Sequence, residues 1–439
     1  MRNLKRALSL ALAAIMLVGM MVVSASAASY NNLTDKDEIV NKDAVSMLVS
    51  LGIIEGKPDG SYGPTENVDR AQMAKMLSVI MNKGVDNSAL YQSVNSGLVD
   101  VNTNWAKGHI NYCYTTGIIA GRGNGKFDPS ATVTALEAAK MLLVAVGYDP
   151  AIEGFEGADW AINVSVRADE QGIFEGFTKD LSAPLNRDDA ALLIYNALDV
   201  EMIQSYTTNN YPIVYSDHRT ILSDKYGVIK VEGVVTANEW AILDDDTDTA
   251  LQEGKTRIYN PDGILSTTGN TAVAQDSSAN VKTQVFNVST PVDMLGKAVT
   301  MYVKKTTILA DSTVYGAPVV SDVNTVIETG EKVTGGDSKD DDSLAALLKG
   351  TGLATDKATE YYHNYEEVAI DSADVDDIMN VKGAALTVID NDNDGYVNYV
   401  ISVEKSLTHV SGVSSKNETT TLYGLPGDDV IDNEDIVTT

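Results

Sequence analysis

From residue 31 to about residue 202, apolar side chains recur three and four apart, the spacing of helices that bury one stripe. Asp69 stands ahead of Met73, Met76, Leu77 and Ile80, with Gln72 three residues on, so a helix capped by Asp69 is predicted there. Thr134 and Glu137 bear the same relation to Ala138, Met141, Leu142 and Ala145, and Asn186 precedes Ala190, Leu193, Ile194 and Ala197. Between each such helix and the apolar stretch before it lies a glycine pair: Gly52 and Gly56, Gly117 and Gly121, Gly172 and Gly176. These pairs recur at spacings of 65 and 55 residues, and Pro64, Pro129 and Pro184 each follow the second glycine by eight. Each repeat thus reads as helix, glycine-rich loop, helix, with the glycines ending the first helix and supplying positive φ. A two-helix repeat cannot bury its stripe alone, so three should share one core in a compact, roughly threefold helical domain over residues 31–202. The boundaries read as 31–84, 95–149 and 155–202.

After Tyr206 the pattern turns to short runs of Val, Thr, Ile and Tyr broken by Gly, Asn, Asp and Ser. Tyr226 to Ala237, Val281 to Val288, Ala298 to Val303, Ala384 to Ile389 and Tyr396 to Val403 read as strands. They predict β-rich, sandwich- or barrel-like modules over 205–334 and 344–439, joined by an exposed acidic linker at 335–343.

The ends and the charge narrow the setting. Arg2, Lys5 and Arg6 precede an apolar run from Ala7 to Val23 and then Ala25-Ser26-Ala27, the layout of a secretory signal peptide cleaved after residue 27. The alternative is an uncleaved anchor, since the run approaches the ~20 residues that span a bilayer. With 32 basic and 62 acidic residues the chain carries −30, and the cleaved chain −33. No basic patch offsets this, which argues against nucleic acid and anionic membrane as partners. A single cysteine, Cys113, excludes an internal disulfide and Cys-based zinc sites. His109 lies four residues before it on one helix, a pair read as packing. The chain should therefore diffuse away or be held outside the cell by something it recognises there.

Asp100, Trp105-Ala106, Gly117-Ile118-Ile119-Ala120-Gly121, Gly125-Lys126-Phe127-Asp128-Pro129 and Val133 to Glu137 resemble a surface-layer homology repeat, and the first and third repeats fit the same template. The resemblance implies an all-α, pseudo-trimeric domain that binds secondary polysaccharides of the bacterial cell wall, often pyruvylated, without a covalent bond. It covers some 170 of the 439 residues. The usual Thr-Arg-Ala-Glu motif at the start of the second helix stands here as Asp69-Arg70-Ala71-Gln72 and Asn186-Arg187-Asp188-Asp189, but as Thr134-Ala135-Leu136-Glu137 in the second repeat. The resemblance assigns ligand binding to its arginine, hence to Arg70 and Arg187. A cation in a helix's first turn opposes the macrodipole, by ~0.3 to 1 kcal/mol, unless an anion joins it. The other reading pairs each arginine with a nearby acid.

Trp105 and Trp160 stand twelve residues before their loops, where the first repeat has Val40, and Asp35 and Asp100 five further back, where the third has Phe155. The tryptophans fit sugar stacking or core packing equally. This unevenness predicts inequivalent grooves, with one or two of three binding polysaccharide. In the second half, Asp390-Asn391-Asp392-Asn393-Asp394-Gly395 resembles the start of a calcium loop, with Tyr396 and Asn398 as further oxygen donors. Ile401 replaces the closing glutamate, so a cation would tie a β-hairpin rather than an EF-hand; the alternative is an ion-free turn. No G-x-S-x-G, H-E-x-x-H or phosphate loop is present, and Glu239-Trp240 reads as a hairpin turn. The first expectation is a non-enzymatic cell-surface protein able to self-associate in a surface layer. The second is a wall-anchored enzyme acting on polysaccharide through its C-terminal half.

Overall fold

The computed structural model describes residues 30–243, 250–264, 282–304, 312–329, 344–368, 384–404, 409–415, 419–423 and 430–432. The expected leader at 1–27 and the acidic stretch at 335–343 lie outside the described residues. The chain alternates between two compact units. The first comprises Met1–Glu232, Asn260–Val288 and Thr300–Val319, the second Gly233–Tyr259, Ser289–Val299 and Val320–Thr439.

The predicted helix pairs are present in the first unit. α1 (Lys42–Ser50) and α2 (Arg70–Met81) form the first repeat, and a short α3 (Ser88–Tyr91) leads to the second, α4 (Lys107–Thr115) and α5 (Ala135–Val146). The third is α6 (Trp160–Glu170) and α7 (Arg187–Leu198). Asp69 and Thr134 each make a full capping box, with Gln72 and Glu137 reaching back to the cap backbone. Asn186 accepts from the Asp189 N–H, so all three second helices start where their side chains supply an acceptor for an otherwise orphaned donor. Gly52, Gly117 and Gly172, two residues past the ends of α1, α4 and α6, all have φ near +70° to +79°. Of the second glycines only Gly176 shares the positive φ, at +74°; Gly56 and Gly121 have ordinary φ, and a Cβ at Gly121 would stand 2.8 Å from the Lys126 carbonyl.

The repeats meet in a closed ring of backbone hydrogen bonds. The Val68 N–H donates to Leu185 O at 2.8 Å, the Leu185 N–H to Val133 O at 2.8 Å, and the Val133 N–H to Val68 O at 2.9 Å. All three side chains are buried, and one apolar core runs through the three repeats. The bonds just beyond the ring correct one equivalence. Ala71 N–H donates to Pro129 O and Asp188 N–H to Pro64 O, but Leu136 N–H donates to Leu181 O, so Leu181 and not Pro184 matches the first two prolines. The third loop reaches this point five residues after its second glycine instead of eight; Pro184 shares only the sequence offset.

β1 (Ile203–Tyr206) and β2 (Pro212–Val214) follow α7 as an antiparallel pair. Next come β3 (Val228–Ala237), β4 (Thr256–Tyr259), β5 (Thr283–Phe286), β6 (Ala298–Lys304) and β7 (Val314–Val320), with β4 antiparallel to β3. In the second unit β8 (Thr325–Glu328), α8 (Leu344–Leu348), β9 (Glu360–His363), β10 (Glu366–Glu367), β11 (Ala384–Asp390) and β12 (Tyr399–Glu404) follow. Their sheet has the order β10-β9-β12-β11-β8, with β12 parallel to β9 and its other pairs antiparallel. Leu386, Val388 and Val400 on one face pack with Leu344 and Leu348 of α8. β13 (His409–Ser414), β14 (Thr419–Tyr423) and β15 (Val430–Asp432) form an antiparallel sheet. The five strands expected from the sequence are all found among the described residues, as β3, β5, β6, β11 and β12. Glu239 sits in a turn, its Oε2 accepting from the Gly254 N–H at 2.5 Å.

Candidate functional site: two matched grooves

Arg70 begins α2, yet its side chain crosses to the loop of the second repeat. Nε donates to Phe127 O at 2.8 Å, Nη2 donates to Ala120 O at 2.9 Å, and the guanidinium lies 4.4 Å from the Phe127 ring centroid. Arg187 repeats this on the first loop, with Nε to Tyr62 O at 2.8 Å, Nη2 to Glu55 O at 3.3 Å, and the Tyr62 ring at 4.7 Å. Among the described residues neither arginine is in an ion pair, so the acid-pairing reading does not hold. Arg70 is only 4% exposed, and its pKa is held down first by that burial and then by the nearby Arg122 charge. A buried guanidinium with two hydrogen bonds to carbonyls and no ion pair keeps the capacity to take an anion, although Glu137, Asp128 and Asp100 lie near enough to act on its charge.

A groove of about 620 Å³ opens beside Arg70, lined also by Arg122, Glu137, Lys140, Glu156 and Trp160. Lys140 donates to Phe155 O and lies 5.6 Å from the Trp160 ring centroid. Arg122 donates to Glu137 at 2.7 Å. A second groove, of about 290 Å³, opens beside Arg187 with Gln72, Lys75, Met76 and Trp105. Each groove thus takes its arginine from one repeat, its loop and lysine from the next, and its tryptophan from the one after. Lys75 and Lys140 went unread in the sequence, although both lie five residues after the arginine position of their helix.

The same construction for the third pairing gathers every departure from the pattern. Ala135 replaces the arginine, Leu192 the lysine and Val40 the tryptophan, while Lys179 stands where Tyr62 and Phe127 stand. Lys179 pairs with Asp189 at 2.5 Å, the Asp188 carboxylate takes the Val40 and Asn41 N–H groups, and Leu192 packs against Gly176. Absences scattered over three repeats in the chain therefore leave two grooves complete and one blank.

Asp35 and Asp100 hold the loops. Asp35 accepts from the Tyr62 and Gly63 N–H groups at 2.7 and 2.8 Å, and Asp100 accepts from Phe127 and Asp128 at 2.9 and 2.8 Å. Slight burial pushes both carboxyls up, but these backbone donors outweigh it and hold them below the usual range. They fix the aromatic on which each arginine rests. Trp105 is 58% exposed, while Trp160 is partly buried against the core and also lines the Arg70 groove. His109 is buried, bonded to Ser78 Oγ at 2.5 Å, and Cys113 is buried with its thiol pushed well up by desolvation, both as packing.

In the second unit the β11–β12 turn gathers Asp390, Asp392 and Asp394, with one carboxylate oxygen of each within 4.8 Å of the others. Buried Asp390 accepts from the Asn393 and Gly395 N–H groups, and Asn398 Oδ1 accepts from Asn391 at 2.7 Å. Tyr396 N–H donates to Asp394 at 2.7 Å. Burial, then the charges of its neighbours, raises the Asp392 carboxyl. An all-oxygen donor set of this kind suits a hard cation.

Comparison with known proteins identifies two segments. The S-layer homology domain profile matches residues 32–74 and 99–139, the first and second repeats. A "Cell surface protein" of Thermoanaerobacter kivui is 27% identical over 394 residues, 89% of this chain and 44% of the relative. "S-layer protein EA1" of Bacillus anthracis is 32% identical over 111 residues, 25% of this chain and 12% of the relative. "Exoglucanase XynX" of Acetivibrio thermocellus is 30% identical over 173 residues, 36% and 15%. The chain spans less than half the length of each of these relatives.

Proposed function

We propose that this chain, which carries S-layer homology segments, is a secreted, cell-wall-associated protein whose three repeats form a pseudo-trimeric head gripping anionic wall polysaccharide. The carrying observation is the pair of matched guanidiniums, Arg70 and Arg187, neither in an ion pair among the described residues and each on an aromatic platform beside a lysine and a tryptophan. A glycan carboxylate, such as a pyruvyl ketal, would complete the guanidinium while the sugar ring lies on the indole. The hydrogen-bond ring supports the pseudo-trimeric reading, because each repeat both donates and accepts once. Among the described residues no helix is long and apolar enough to cross a membrane. The β-rich remainder then acts as a surface-layer or cell-surface structural part, a reading supported by the relative that aligns over 89% of the chain.

Retention on purified wall sacculi tests this. Arg70→Gln with Arg187→Gln should weaken retention at least about tenfold, since a charge-assisted hydrogen bond contributes roughly 1.5 to 3 kcal/mol. Unchanged retention would refute it. The reading as an anchored polysaccharide-degrading enzyme draws on the name of the exoglucanase relative; product release from glycans by residues 205–439 would favour it. For the β11–β12 turn we infer calcium binding by Asp390, Asp392 and Asp394, with Tyr396 and Asn398 beside them. Calorimetric titration with calcium should give saturable heat that Asp390→Ala with Asp392→Ala abolishes.

A further inference from the structure

We propose that the first unit holds a second binding site, chemically unlike the grooves: a crevice between α1 and β7 that takes an uncharged saccharide. α1 buries Ala44, Val45, Met47 and Leu48 and turns Lys42, Ser46 and Ser50, four apart on one face, the other way. β7 comes against this helix at Gly316, where a Cβ, if added, would lie in ordinary contact with Met47 at 3.7 Å and where the φ of +73° favours glycine. The space left beside the contact is about 610 Å³, close to that of the Arg70 groove. Tyr30 and Tyr315 line it together with Asn31, Asp43 and Ser46, which bring an amide, a carboxylate and a hydroxyl.

Those polar groups are unspent. Among the described residues the side chains of Asn31, Asp43, Ser46 and Tyr315 make no hydrogen bond within the protein, and the Tyr30 hydroxyl makes only a long one, 3.4 Å to Lys36 O. The charge separates this crevice from the grooves. Its charged lining is Lys42 beside Asp43, which offset each other, whereas the first groove sets Arg70, Arg122 and Lys140 against Glu137 and Glu156 and so is left with an excess of one positive charge. The Tyr30 hydroxyl is held above its usual pKa by burial and then by Asp37, Asp43 and Asp188, so it stays a protonated donor. A sugar ring offers what remains: an apolar C–H face for the tyrosines and hydroxyls that both donate to Asp43 and accept from Asn31 and Ser46.

The test is calorimetric titration of the full chain lacking residues 1–27 with two neutral probes, β-1,4-linked N-acetylglucosamine tetramer and cellotetraose. Saturable binding of either is expected, and which one binds separates an amino-sugar source from a glucan source. Asp43→Asn should weaken it about tenfold, and Tyr315→Ala by at least as much. Arg70→Gln with Arg187→Gln should leave it unchanged. Absence of binding by both probes, equal affinity in Asp43→Asn, or loss of binding in the double arginine variant would each overturn the proposal. Asp43 is on an exposed helix face, so its variant stays informative if Tyr315→Ala misfolds.

Discussion

Asp100 shows how one side chain can serve a site it does not line. Its carboxylate takes two successive backbone donors, at Phe127 and Asp128, and so holds the ring beneath Arg70. Asp100→Ala should cost about 2 kcal/mol in thermal unfolding, the scale for losing hydrogen bonds to a charged acceptor, and should also loosen sacculus retention. A variant that unfolds earlier yet binds sacculi fully would break the link between loop and arginine. Asp199, just past α7, makes the opposite case. Burial raises its carboxyl to about 6, although Lys230 draws it down. Because the folded pKa exceeds the ordinary carboxylate value of about 3.9, the folded state binds more protons between these values, and stability falls as pH rises through that window. Asp199→Asn should therefore raise the unfolding temperature at about pH 7 and give no gain near pH 4. Equal gains at both would dismiss the effect.

The second helix of each repeat is positioned by its first residues. Asp69 and Thr134 close capping boxes and Asn186 caps singly, so α2 and α7 start at the arginine whose side chain reaches the next repeat's loop, and α5 starts at Ala135 in the same place. Thr134→Ala should cost about 1 kcal/mol by denaturant titration, the scale for losing a side-chain cap. At the far end of α5, Gly147 has φ +115° and its Cβ would lie 2.7 Å from Ile203 O. Gly147→Ala should destabilise more than Thr134→Ala, since left-handed strain and a backbone clash add.

Over the whole head, the decisive feature is the cyclic order in which three repeats contribute to each groove. Ala135, Leu192, Val40 and Lys179 all fall in one pairing. Restoring it with Ala135→Arg, Leu192→Lys and Val40→Trp should not raise glycan stoichiometry from two to three unless the aromatic platform is also rebuilt, by Lys179→Tyr. The quadruple variant is expected to bind a third equivalent in titration with released wall polysaccharide. Two equivalents in that variant would show that the shorter third loop, and not side-chain identity, blanks the groove.

The repeats, their helix starts and the arginines were legible along the chain because capping, periodicity and glycine turns act over a few residues, within which the sequence is its own environment. The change to strands after Tyr206 was legible for the same reason. What needed the fold was everything set by residues far apart: that Pro184 is not the partner of Pro64 and Pro129, that Asp35 and Asp100 spend their carboxylates on loop backbone, and that Lys75 and Lys140 face the grooves. Local pattern decides what each segment becomes. Contacts between repeats, the closed ring of Val68, Leu185 and Val133 among them, decide which segments stand together, because a hydrogen bond between repeats leaves no periodicity in either.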